Sequence, residues 1–149
     1  MLFNVAIAIV MIVITTVVHS AGMMLSIRLI KLKPGMLRDQ LLHRRAFGVA
    51  AIVIIMFCFS LLEVLLWAIP YLAFGAVKGF EEAVYFSMVT YTTLGYGDIV
   101  LAEQWRLLTS FEAANGIIMF GWTTAIVMAV IKKAYFDTLY TDLGENNSQ

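Results

Sequence analysis

The stretch Thr90-Tyr-Thr-Thr-Leu-Gly-Tyr-Gly-Asp98 decides the fold of this chain of 149 residues. Two glycines, Gly95 and Gly97, flank one tyrosine, and an aspartate follows the second glycine. Glycine adopts positive backbone φ angles without a steric penalty, so a segment of this composition can aim successive carbonyl groups in one direction. Carbonyls repeated around a symmetry axis can replace the hydration shell of a cation. The sequence around this segment can be tested against that possibility.

The composition is that of a membrane protein. Hydrophobic residues make up 62% of the chain and charged residues 13%, whereas soluble domains average about 45–50% and about 25%. The formal net charge is zero, which gives no reason to expect a nucleic-acid partner. We find no nucleophile with a matching base and no cluster of metal ligands, so we expect neither an enzyme nor a cofactor. Cys58 lies alone in an apolar run and is expected to be a buried, inert thiol.

Three apolar stretches, residues 2–27, 46–68 and 107–131, are long enough to cross a bilayer, which takes about 20 helical residues. A shorter apolar stretch, residues 80–91, ends at the glycine-rich segment and is too short to cross. Non-helical backbone at membrane depth is tolerated only when it is buried in protein or faces water. Residues 80–91 therefore read as a re-entrant helix beside a pore. The first stretch lacks the basic start and the cleavage site of a signal peptide, and we expect it to be retained.

The basic residues predict an orientation. Eight of the ten lysines and arginines lie either between the first two apolar stretches or directly after the third. The positive-inside rule places both regions in the cytoplasm. The N-terminus is then expected outside, and the re-entrant segment opens outward. A short amphipathic helix after Pro34-Gly35, or a solvated basic loop, would both fit the first basic region.

The segment from Tyr85 to Asp98 resembles the pore helix and selectivity filter of tetrameric potassium channels, particularly the small bacterial channels with two helices per pore unit. The resemblance covers roughly residues 46–133 and leaves the first apolar stretch outside. It implies an all-α membrane fold with three transmembrane helices per subunit, a re-entrant pore helix and an extended selectivity filter. It also implies a homotetramer in a bacterial inner membrane that conducts K⁺ passively, with K⁺ as the permeant ion and the lipid bilayer as its surroundings.

The same resemblance assigns roles to individual residues. Ion-binding carbonyls are implied at Thr93, Leu94, Gly95 and Tyr96, with the Thr93 hydroxyl as the innermost ligand and Gly97 completing the filter. Support of the filter is implied for Thr92, Asp98, Tyr85 and Phe86. Two positions depart from the commonest pattern: Leu94 stands where valine is usual, and Val89 stands where one bacterial type has a glutamate paired with the filter aspartate.

The third apolar stretch resembles an inner helix. Gly116 and Gly121 are spaced like the paired glycines of a gating hinge, with Gly116 the better hinge candidate. Close packing is an equally good explanation, because Gly121, Ala125 and Ala129 recur every four residues, as helix contacts in lipid prefer. Ile117, Thr124 and Met128 are candidate cavity-lining positions.

Three ionisable residues lie inside the apolar stretches, where they are expensive and suggest a partner or a function. Glu112 reads either as a strut behind the filter, bonded to Thr90 or Thr92 or paired with Asn115 across subunits, or as a pH sensor and gating candidate. Glu63 is expected to reach water at the outer end of its helix. His19 is expected to be a packing or interfacial residue rather than a metal ligand. The first stretch has no repeated basic residues, so voltage sensing is not expected.

Three functions remain open on the sequence. A potassium-selective channel is favoured over a weakly selective cation channel of the same fold and over a non-conducting membrane scaffold. The predicted divisions are an N-terminal helix at 1–28, a cytoplasmic loop at 29–45, a pore domain at 46–133 and a cytoplasmic tail at 134–149. Within the pore domain they are an outer helix at 46–70, a pore helix at 80–91, a filter at 92–98 and an inner helix at 106–133.

Overall fold

A computed structural model describes residues 2–32 and 42–136 of the chain. Four helices account for most of these residues: α1 (Leu2–Leu32), α2 (Leu42–Ala73), α3 (Phe80–Tyr91) and α4 (Arg106–Ile131). A 3₁₀ turn, Glu103–Trp105, leads into α4, and a π-helical turn, Lys132–Phe136, follows it. The described part of the chain contains no β-strand. The predicted all-α membrane fold is therefore confirmed, with three spans at Leu2–Leu29, His43–Ala73 and Glu103–Tyr135 that are long and apolar enough to cross a bilayer.

Helix α1 packs against the rest of the protein through a narrow stripe of mostly small or polar residues. The buried positions recur at spacings of three and four, which is one face of an α-helix. Small residues let helix backbones approach closely in lipid, where apolar contact alone provides no driving force. The remainder of α1 up to Ile27 is mostly apolar and largely exposed, as a lipid-facing surface should be. The stripe consists of Asn4, Ala8, Met11, Thr15, His19, Gly22 and Ser26.

The short helix α3 lies between α2 and α4. Large buried side chains from all three helices meet here, including Trp67 and Tyr71 of α2, Phe86 of α3 and Leu108 of α4. The Tyr71 and Phe86 rings meet edge to face with centroids 5.0 Å apart. This core holds α3, including its buried last residue Tyr91, and leaves the glycine-rich segment beyond it, residues 92–98, at the protein surface.

Several details differ from the sequence-based expectations. Helices α1 and α2 extend further than the apolar runs predicted: α1 ends at Leu32 and α2 begins at Leu42, because a helix can continue through charged residues as long as its backbone bonds continue. Cys58 is exposed on the surface of α2 in the protomer instead of buried. Most of the region predicted as an amphipathic helix after Pro34-Gly35, and the tail beyond residue 136, lie outside the described residues.

Candidate filter segment and its buried supports

Helix α3 ends in a Schellman motif, in which two backbone amides bond back to the last turn. The N–H of Thr93 donates to the carbonyl of Thr90 (2.9 Å), and the N–H of Leu94 donates to the carbonyl of Val89 (3.0 Å). This pattern requires a left-handed residue just after the helix, usually glycine. Here the residue is Thr93, with φ of 60°. A β-branched residue rarely adopts this conformation, and such strain concentrates at functional sites.

The segment after α3, residues 92–98, is the candidate filter segment. Its backbone φ angle alternates in sign. Thr93, Gly95 and Gly97 have φ of 60°, 56° and 79°, whereas the residues between them have negative φ. Alternating signs of φ can turn like peptide groups toward the same side of the chain, which is known for N–H groups in anion-binding nests. A row of carbonyls on one side also requires such an alternation.

The candidate filter segment is open on the surface of the protomer. The side chains of Leu94 and Tyr96 are 54% and 68% exposed. One flank borders a groove of about 380 Å³ that is also lined by Thr109, Ser110 and Ala113 of α4. Both residues are therefore accessible to another molecule from the surface of the protomer.

The outer end of the segment is tied to α3 by a side-chain bond. The Tyr85 hydroxyl donates to Oδ2 of Asp98 at 2.6 Å, and the N–H of Ile99 donates to Oδ1 at 3.1 Å. The bond from Tyr85 holds the pKa of Asp98 below its usual range, and the same bond raises the pKa of Tyr85. Asp98 therefore stays ionised and Tyr85 stays neutral around pH 7. Phe86, the neighbouring aromatic, faces the core instead and packs on Tyr71.

Glu112 is fully buried and contacts α3 through a hydroxyl other than those of the two threonines predicted from the sequence. Its Oε2 accepts a 2.5 Å bond from the Tyr71 hydroxyl, and its Oε1 lies 2.6 Å from the Ser87 hydroxyl. Neither Thr90 nor Thr92 reaches it: the Thr92 hydroxyl bonds to the carbonyl of Met88 in its own helix. Glu112 of α4 thus joins Tyr71 of α2 to Ser87 of α3, and its role as a strut behind the filter stays a prediction.

The contacts around Glu112 need one more proton than the hydroxyls supply. The Ser87 hydroxyl also lies 2.8 Å from the carbonyl of Val64, so three contacts share the single protons of Tyr71 and Ser87. A carboxyl group that carried a proton would supply the third: it would donate to Ser87, which would then donate to Val64. All polar atoms of this cluster are satisfied in that arrangement, as a buried network requires.

Glu63 is fully buried as well, and the expectation that it reaches water was wrong. Its Oε1 lies 2.9 Å from Nδ1 of His19, and its other oxygen accepts a bond from the hydroxyl of Tyr91. His19 is buried too, and its Nε2 lies 3.2 Å from the hydroxyl of Thr123 in α4. The hydrogen bonds of Glu63 with His19 and Tyr91 offset the free-energy cost of removing its side chain from water.

Gly116 is a point of close contact between α4 and α3. A Cβ atom at this position would lie 1.9 Å from the carbonyl oxygen of Tyr91, the last residue of α3. At Gly121, by contrast, a Cβ would meet nothing within 4 Å. Close packing therefore occurs at Gly116, whereas Gly121, Ala125 and Ala129, for which the sequence suggested it, are exposed in the protomer. Neighbours of Gly121 on α4, including the candidate cavity residues Ile117, Thr124 and Met128, are also exposed in the protomer.

The geometry agrees with a comparison against known protein families. The model of the Ion channel family matches residues 51–133, more than half of the chain. The chain therefore belongs to this family of ion channels, whose members have a two-helix, potassium-channel-like pore unit. Helix α1 lies wholly before the matched region. No solved structure matches the chain.

Sequence reasoning missed the partners of the buried acids. Tyr71, Ser87 and Tyr91 were not singled out, because tyrosine and serine are unremarkable in an apolar helix. A usable signal did exist: a buried acid needs donors, and these hydroxyls are among the few donors in the neighbouring helices. Within the described residues, no group of three or more His, Cys, Asp or Glu side chains could hold a metal ion.

Proposed function

We propose that this protein is a potassium-selective channel in which four identical subunits surround a central pore. K⁺ would shed its water and be held by the backbone carbonyls of Thr93, Leu94, Gly95 and Tyr96, and successive ions would advance by mutual repulsion. The observation that carries this proposal is the alternating sign of φ from Thr93 to Gly97. That alternation follows directly on a short helix whose C-terminal dipole end favours a cation.

Four copies are proposed because one segment cannot surround an ion. The open side of the candidate filter segment and the exposed side chains of Leu94 and Tyr96 support packing against neighbouring subunits. The exposed face of α4, which carries Ile117, Thr124 and Met128, is then free to line the passage below the filter. Asp98, held by Tyr85, would stiffen the outer end.

Orientation follows from the charge distribution. The positive-inside rule places the region between α1 and α2, and the end of α4, in the cytoplasm, with the N-terminus outside. The candidate filter segment then lies at the outer mouth of the pore. We propose the bacterial inner membrane as the location, from the resemblance to small bacterial channels.

The proposal is tested with purified protein in liposomes. Native mass spectrometry should give a tetramer, and K⁺-loaded vesicles should release K⁺ when the membrane potential drives it outward. Comparable Na⁺ release would instead indicate a weakly selective cation channel. A tetramer that passes neither ion would indicate a non-conducting scaffold, and both results would overturn the proposal.

A further inference from the structure

Helix α1 is attached to the pore unit by polar contacts at three levels. Asn4 bonds to the carbonyl of Gln104 just before α4. Halfway along, the Asn115 amide donates to the Thr15 hydroxyl at 3.0 Å. One turn further, His19 reaches α2 and α4 together. A helix whose only role was to contact lipid would need none of these hydrogen bonds to the pore unit.

His19 has the most consequential position of the three. Its Nδ1 contacts Glu63 of α2 and its Nε2 contacts Thr123 of α4, so both ring nitrogens are engaged. The neutral ring can donate from Nδ1 to the carboxylate and accept at Nε2 from the hydroxyl. The indole of Trp122 packs beside the imidazole, with ring centroids 5.2 Å apart. The ring thus has a defined orientation.

The contact to Glu63 continues to the base of the candidate filter segment. The second oxygen of Glu63 accepts the hydroxyl of Tyr91, which is the last residue of α3. The carbonyl of Tyr91 is pressed against Gly116, and its ring meets Phe120 edge to face at 5.6 Å. Tyr91 is therefore clamped at both its backbone and its side chain, two residues before Thr93.

We propose that His19 is a positioning residue for the selectivity filter: through Glu63 it fixes the Tyr91 hydroxyl, and so the end of α3 from which the filter extends. The extra N-terminal helix thereby becomes a functional part of the pore. This inference rests on the proposed function, because it assigns the role of α1 at the same filter. The contact between Nε2 of His19 and Thr123 holds the imidazole in place and does not itself reach the filter.

Two isosteric substitutions separate the two hydrogen bonds of the His19 ring, one to Glu63 and one to Thr123. The amide nitrogen of asparagine occupies nearly the position of Nδ1, so His19→Asn keeps the donor to Glu63 and loses the contact to Thr123. The amide of glutamine lies near the position of Nε2, so His19→Gln keeps the contact to Thr123 and loses the donor to Glu63. His19→Phe removes both, and Ser20→Ala serves as the control because the Ser20 hydroxyl bonds only to its own helix, at the carbonyl of Thr16.

The first readout does not require conduction. The amides of Leu94 and Gly95 both bond to the carbonyl of Val89, and their hydrogen exchange reports the order of the end of α3. In the purified oligomer we expect exchange about five- to tenfold faster in His19→Gln and His19→Phe. His19→Asn and Ser20→Ala should match the wild type. Tyr91→Phe should reproduce the effect of His19→Gln, with no further increase in the double variant.

The second readout is the reversal potential with K⁺ and Na⁺ on opposite sides of the bilayer. His19→Gln should shift it toward zero, whereas His19→Asn should restore the wild-type value. Equal behaviour of the asparagine and glutamine variants, or unchanged exchange in His19→Phe, would overturn the positioning role. If His19→Phe fails to assemble, the comparison of asparagine with glutamine decides alone. A wild type that does not conduct K⁺ would refute the proposed function, whereas the exchange pattern would still decide whether His19 orders the end of α3.

Discussion

The hydroxyl of Tyr85 donates a 2.6 Å hydrogen bond to the carboxylate of Asp98 and thereby joins the middle of α3 to the outer end of the candidate filter segment. The carboxylate also accepts from the N–H of Ile99. Both side chains are open to solvent in the protomer. The main effect of the bond is therefore to fix the position of Asp98, the residue that follows Gly97.

Tyr85→Phe should free the outer end of this segment and change the titration of Asp98. Without the phenolic donor, the pKa of Asp98 should rise toward its ordinary value of about 3.9. Carboxyl ¹³C chemical shifts of labelled aspartate, followed across an acid titration, measure this directly. Asp98→Asn identifies the resonance. A pKa of Asp98 that stays unchanged in Tyr85→Phe would mean that the bond does not form.

The same pair predicts a direction for the pH dependence of stability. Because the folded-state pKa of Asp98 is depressed, its contribution to stability is present above the unfolded pKa and is lost as the pH falls through the folded pKa. The difference in unfolding free energy between wild type and Tyr85→Phe should therefore be greatest near pH 7 and shrink below about pH 4. Denaturant unfolding at several pH values tests this, and a difference that grows on acidification would contradict it.

Glu112→Gln should be tolerated, whereas Glu112→Ala should not. A glutamine can accept from Tyr71 and donate to Ser87, which is the bonding pattern of a neutral carboxyl group. Alanine leaves the Tyr71 hydroxyl unpaired in the core, while Ser87 keeps its bond to the carbonyl of Val64, and should cost about 1–3 kcal/mol per subunit. Thermal unfolding in detergent measures the difference, with Tyr71→Phe as a partial deletion. A flux response to pH that is lost in Glu112→Gln would instead identify Glu112 as a sensor.

Gly116→Ala and Gly121→Ala form a matched pair on α4. The new methyl group at residue 116 would collide with the carbonyl of Tyr91, and the one at residue 121 would meet open space. We expect a loss of about 1–3 kcal/mol per subunit for Gly116→Ala, which is typical of overpacking, and little change in the stability of Gly121→Ala. Equal stabilities in thermal unfolding would show that α3 and α4 do not touch here.

Thr93→Gly should raise the thermal stability of the oligomer and weaken its K⁺ binding. Removing the side chain relieves the left-handed strain at φ of 60°, which costs about 1–2 kcal/mol in a residue with a Cβ. The oligomer should therefore unfold at a higher temperature. The lost hydroxyl is the proposed innermost ligand, so K⁺ occupancy measured by isothermal titration should weaken. Thr93→Ser keeps the hydroxyl and should retain K⁺ binding; a destabilised Thr93→Gly would contradict the strain assignment.

The spans were predictable because hydropathy alone distinguishes them. Apolar runs of sufficient length predicted three crossing helices, and the short run at 80–91 coincides with α3 (Phe80–Tyr91). Helix ends were less predictable at α1 and α2, since the apolar run stops at the first charged residues while the backbone bonding continues.

The buried networks could be anticipated only in part. The cost of a charge in an apolar helix marked Glu63 and Glu112 as residues that need partners. The partners themselves depend on which faces of α1, α2 and α3 meet, and no local pattern specifies that. One signal was present and unused: the stripe of small and polar residues at spacings of three and four in α1 marks its packing face, with His19 within it.

The central claim is that peptide oxygens of Thr93 to Tyr96 from four subunits enclose K⁺, and the reversal potential of the reconstituted protein between K⁺ and Na⁺ solutions tests it most directly. The account predicts a value close to the K⁺ equilibrium potential for the wild type. It predicts loss of that selectivity in Gly95→Ala, because alanine disfavours φ of 56° even though its methyl group has room in the protomer. A reversal potential near zero in the wild type, or unchanged K⁺ preference in a tetrameric Gly95→Ala, would contradict the account.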